Sequence, residues 1–213
     1  MQSRIGIMDA MDECCEIRSD VPAHQRRVLR IVLWVNVLMF AAEFGVALLA
    51  HSTALLADSV DMLGDSIVYG FSLYAIARGA MWQARAALLK GLIMAAFGIG
   101  VLAEVIHKLA TGVVPAADLM SVVAIVALAA NTVCLWLLSR HRADDINMRS
   151  AWLCSRNDVI ANVGVLLAAG AVAVTGSGWP DIVVGLAIAA MFGSSALRVI
   201  RDARRQLRAV PAR

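Results

Sequence analysis

Between Leu29 and Ile200 the chain repeats one pattern, an apolar run followed by a short charged or turn-forming connection. A bilayer core takes about 20 residues of helix at 1.5 Å rise each. Lipid offers no hydrogen bonds, so each run must satisfy its own backbone, as a helix does within one segment. Six such runs are read, at residues 29–50, 53–77, 88–109, 119–138, a fifth ending at 174, and 182–200. Of 213 residues, 61% are hydrophobic and 16% charged, and the mean hydropathy is +0.76. An ordinary soluble domain is far less apolar. The expected fold class is therefore all-α, a polytopic membrane protein with six transmembrane helices.

An even number of spans puts both termini on one side, and the charges say which. Arg78, Arg85, Lys90, the SRHRADDINMR loop and the RDARRQLRAVPAR tail fall on that side, while the opposite loops hold little beyond Lys108. Lys and Arg mark the cytoplasmic side, so cytoplasmic N and C termini are expected. Trp34, Trp82, Trp136, Trp152 and Trp179 fall near span ends, where interfacial aromatics belong. The chain then divides into an N-terminal arm (1–27), a six-helix membrane body (28–200) and a short basic tail (201–213). The opening stretch is acidic and polar rather than a signal peptide, so the first span is expected to be retained. The arginines lie where topology puts them, and no nucleic acid is expected as a partner.

The second run, LLADSVDMLGDSIVYGFSLY, carries Asp58, Asp61 and Asp65. Residues three and four apart share one helix face, so the three point together. Each carboxylate at mid-membrane costs roughly 2.5–3.5 kcal/mol on insertion scales, which calls for a cation or a proton to meet them. The fifth run offers a complement in AWLCSRNDVIANVG, where Cys154 and Asp158 are also four apart. Asp65 stands thirteen residues before Arg78, and Asp158 thirteen after Asp145. In antiparallel helices the pairs Asp61/Asp65 and Cys154/Asp158 then lie at similar depth. Arg156, two residues from Asp158, falls on another face and is not expected to neutralise it.

Three carboxylates and a thiolate suit Zn²⁺, which accepts oxygen and sulfur in four-coordinate geometry. Sulfur also admits Cd²⁺ and disfavours Mg²⁺ and Ca²⁺; Fe²⁺ and Co²⁺ stay open as alternatives. Ligands must shed protons to bind metal, so a proton gradient across the membrane could drive exchange of a divalent ion for protons. The ion is then cargo rather than a resident cofactor. Asn162, one turn past Asp158, is expected to orient it, and Tyr69 stands likewise to Asp65. Glu43 in the first span is expected to face the polar interior of the bundle, and Asp58 to support the pair beside it. His51 and His107, near the outer surface, could form an exit station. In the arm, Cys14 and Cys15 within MDECCE, with His24 beyond, could capture a soft metal; incidental thiols in a tail are the alternative.

At these residues the chain resembles the cation diffusion facilitator family of metal/proton antiporters. STALLADSVDMLGD is similar to the family's second-helix signature and NDVIANVGVLLA to its fifth helix. The resemblance implies Asp61 and Asp65 as the second-helix ligand pair, Asp158 as a fifth-helix ligand, and Cys154 at a position commonly His in the family's zinc transporters. Only residues 201–213 follow the sixth span, where the family usually carries a ferredoxin-like cytoplasmic domain. A short form is therefore expected, as a homodimer held through transmembrane helices in a bacterial inner membrane. The implied function is efflux of Zn²⁺, with Cd²⁺ possible, in exchange for protons. The alternatives are a membrane metal sensor or non-transporting subunit, and a small-molecule/proton antiporter that uses the carboxylates for protons alone.

Overall fold

A computed structural model describes residues 23–74, 80–144 and 146–209. Among them the chain forms six helices and no strands: α1 (Ala23–Ala50), α2 (Thr53–Tyr74), α3 (Ala80–Thr111), α4 (Ala117–Ser139), α5 (Ile146–Thr175) and α6 (Trp179–Ala209). All but α2 are long and apolar enough to cross a membrane. The 22 residues of α2 match that length but carry the three aspartates.

The burial pattern is that of a protein solvated by lipid. Trp34 (63%), Leu49 (75%), Ile99 (68%), Leu167 (68%) and Val174 (88%) are exposed, while Asn36, Asn131, Asn162 and Asp58 are at or near zero. Water would select the opposite arrangement, apolar inside and polar outside. Hydrocarbon imposes this one, because each buried polar group needs a partner that lipid cannot supply. The protein is an integral membrane protein.

Local chemistry sets the turns. His51 ends α1 in the left-handed region (φ 51°), which His visits more readily than most residues. Ser52 then caps α2, its Oγ accepting from the Leu55 backbone N–H at 3.1 Å. Gly112 and Gly176, at φ 69° and 61°, end α3 and α5 as left-handed glycines do.

Neighbouring helices pair as α1 with α2 and α4 with α5, while α3 pairs with α6 at a distance in sequence. The fifth helix meets the second as well, which brings the two acid-bearing segments into one bundle. Small residues set how closely α6 approaches. A Cβ on Gly185 would lie 2.8 Å from the Thr53 carbonyl carbon and 2.9 Å from the Ala54 nitrogen. On the other side of the bundle, one on Gly91 would lie 2.5 Å from the Ile200 side chain. Backbones come this close in lipid-solvated bundles because van der Waals packing does much of the holding.

One buried ionic cluster fastens the ends of three helices. Asp181, in the first turn of α6, accepts from Ser52 Oγ (2.6 Å), from the Thr53 N–H (2.8 Å) and from the Ala54 N–H (3.1 Å). It also takes the ammonium of Lys108 from the end of α3, and both side chains are fully buried. The carboxylate thus serves the unpaired N–H groups and positive dipole end of α2 from another helix. Lys108 is therefore an internal ion-pair partner, not the loop charge that hydropathy suggests.

At the opposite end, arginines stack on tryptophans. The Arg140 guanidinium lies 4.1 Å from the Trp136 ring centre, and those of Arg142 and Arg156 lie 5.5 and 5.6 Å from that of Trp152. Arg156 points to Trp152, as its separation from the Asp158 face implies.

Candidate metal centre

The bundle interior holds two polar groupings, one above the other along α2. The first begins at Asp58, which is 1% exposed. Asn162 of α5 donates its amide to Asp58 Oδ2 at 2.6 Å, and Asn131 of α4 donates to Asn162 Oδ1 at 2.8 Å. Glu43 of α1, fully buried, presents its carboxyl to that of Asp58. Among the described residues no donor reaches either Glu43 oxygen or Asp58 Oδ1. Two facing carboxyl groups in a buried site take a proton or a cation between them. The layer Asn131–Asn162–Asp58–Glu43 therefore links four helices and ends in an acid pair.

Asn162 stands one turn past Asp158, and its amide bonds to Asp58 and Asn131. The bond to Asp58 is favoured because a carboxylate is a charge-assisted acceptor.

The second grouping centres on Asp65, which is 8% exposed. Tyr69 hydroxyl lies 3.2 Å from Asp65 Oδ2 and 3.3 Å from the Ala151 carbonyl oxygen, so Tyr69 stands beside Asp65 as its spacing predicts. Across the helix interface the Cys154 side chain of α5 comes within hydrogen-bonding reach of Asp65. This contact joins the two motifs directly. Asp61, one turn earlier, is half-buried and feels the charges of Asp65, Asp58 and Lys90. Asp158 is 1% exposed on the same helix as Cys154.

Among the described residues no three His, Cys, Asp or Glu side chains are gathered closely enough to hold a metal ion. Asp65 and Cys154 face one another, and Asp61 and Asp158 stand one turn from them on their own helices. The donor set has the composition of a mixed oxygen–sulfur site.

Elsewhere, Ala47, Leu48, His51, Leu56, Glu104 and His107 line a cavity of about 330 Å³ at the end of the bundle away from the basic tail. Cys14 and Cys15, with the His24 side chain, lie outside the described residues. Sequence reasoning missed Lys90, which reads as a boundary charge yet is 7% exposed and acts electrostatically on both Asp61 and Asp65. Its apolar flanks, ALL before and GLIM after, were the available signal: a lysine there is already inside the span.

Two curated bacterial relatives each share 26% identity over 181 residues: the metal cation efflux system protein CzcD of Cupriavidus metallidurans and the cation efflux system protein CzcD of Alcaligenes sp.. Both alignments cover 79% of this chain and 57% of the relative, so the chain spans little more than half the length of the curated relatives it matches. A family model described as the cation efflux transmembrane domain matches residues 29–208, which includes every helix that contributes to the two polar groupings. The chain belongs to the cation efflux family.

Proposed function

We propose that the protein exports a divalent metal ion, Zn²⁺ with Cd²⁺ as a second cargo, from the cytoplasm in exchange for protons. The observation that carries this reading is the contact between Asp65 of α2 and Cys154 of α5, with Asp61 and Asp158 one turn away. These four residues are the proposed ligands. An oxygen–sulfur donor set favours borderline and soft ions over Mg²⁺ and Ca²⁺. Membership of the cation efflux family and the similarity to two proteins named as cation efflux systems support the direction of transport.

In this reading α2 crosses the membrane with the other five helices, and both termini face the cytoplasm of a bacterial cell, at its inner membrane. The assembly is a homodimer held through transmembrane helices. Metal loading draws α2 and α5 together and releases the protons its ligands held. Protons arriving from the far side then displace the ion. The facing Glu43 and Asp58 carboxyls, tied to Asn162, give those protons a place to rest beside Asp61. Rocking of helices about the site supplies alternating access.

The test is metal flux in proteoliposomes carrying a metal-sensitive dye and an imposed pH gradient. As protons run down the imposed gradient, wild-type protein should move Zn²⁺ or Cd²⁺ in the opposite direction, and Asp61→Ala and Asp158→Ala should each abolish flux. Wild-type flux in either variant contradicts the reading. Binding without flux in the wild type favours a metal sensor instead.

A further inference from the structure

Lys90 lies only two residues inside the apolar span that begins at Leu88. A lysine so placed ordinarily extends its stem to the headgroups and leaves its ammonium in water. Here the side chain is 7% exposed, so it is folded into the protein. The packing of α3 on α2 explains where it goes. A Cβ on Gly64 would lie 2.7 Å from the terminal methyl of Met94, so Met94 lies against α2 at the residue preceding Asp65. Lys90 is one turn from Met94 on the same face of α3. The ammonium is consequently within electrostatic reach of both Asp61 and Asp65.

We propose that Lys90 is a tethered counter-cation of the Asp61/Asp65 pair, so that an incoming metal ion must compete with a charge the protein already carries. This deepens the transport reading and rests on it. Three carboxylates and a thiolate around one dication form a deep electrostatic well, and a carrier caught in it would turn over slowly. A fixed positive charge beside two of the four ligands makes the well shallower. It also sets a charge threshold: a monovalent ion gains little over the ammonium already there, whereas a dication at ligand distance outcompetes it. Removing the charge should therefore tighten binding and slow release.

The experiment is equilibrium Cd²⁺ and Zn²⁺ binding to purified protein at mildly alkaline pH, paired with single-turnover release. Lys90→Met keeps the length of the side chain without its charge, Lys90→Gln is a second uncharged variant, and Lys90→Arg keeps the charge. The uncharged variants should bind metal at least about tenfold more tightly than wild type and release it more slowly, while Lys90→Arg stays near wild type. Misfolding does not produce a gain in affinity, so this outcome separates an electrostatic role from a structural one. Unchanged or weaker binding by both uncharged variants, with wild-type binding intact, overturns the role of Lys90 and leaves the transport reading standing. Absence of metal binding by the wild type overturns both.

Discussion

Replacing Asp181 with alanine should destabilise the folded bundle by about 3–5 kcal/mol, the cost of stripping one member from a buried ion pair. The loss has two sources. Lys108 would keep a buried ammonium with no counter-charge, and the first turn of α2 would lose the carboxylate that accepts from Ser52 Oγ and the Thr53 and Ala54 N–H groups. Lys108→Met should cost less, because Asp181 keeps those three donors. Combining Lys108→Met with Asp181→Asn should recover part of the loss, since the amide oxygen still accepts and no charge is stranded. Denaturant unfolding in detergent, followed by helical circular dichroism, ranks the variants. A loss below about 1 kcal/mol for Asp181→Ala would place this cluster with exposed ion pairs, against its complete burial.

The second large effect concerns metal choice. Replacing the Cys154 sulfur with a hydroxyl keeps the size of the side chain roughly constant but removes the soft ligand. Altering a residue that merely supports a ligand costs about 10–100-fold in metal affinity, so Cys154→Ser should weaken Cd²⁺ binding by at least about a hundredfold. Zn²⁺, which takes oxygen and sulfur alike, should lose less, and the Cd²⁺/Zn²⁺ selectivity ratio should fall. Competition titration with the two ions measures that ratio. An unchanged ratio would remove Cys154 from the proposed ligand set.

Much of this organisation can be read from the chain itself, because in lipid the length of an apolar run and the length of a helix are nearly the same quantity. The helix ends are less legible. Hydropathy starts the third span at Leu88, whereas α3 starts at Ala80; it stops the sixth at Ile200, whereas α6 continues to Ala209. Helices outlast their apolar stretch because backbone hydrogen bonding does not end at the bilayer edge. The acids on α2 and α5 were legible because i, i+4 spacing is a local property. The polar layer was not, since Asn162 meets Asp58 across 104 residues of sequence. Lys108 reads as a loop charge, and only the packing of α3 beside α6 shows it paired with Asp181, 73 residues away. Lys90 was misread for the same reason: a positive charge near a span end fits the topology rule whether it points to water or to the core.

In the proposed transport cycle one sulfur and several carboxylate oxygens from α2 and α5 close on the same ion. X-ray absorption at the metal edge of the Cd²⁺- or Zn²⁺-loaded protein reads that shell directly. The spectrum should show a single sulfur, at about 2.3 Å for zinc, with oxygen completing the shell, and the sulfur contribution should vanish in Cys154→Ser. A shell of oxygen or nitrogen alone in the wild type would contradict the account.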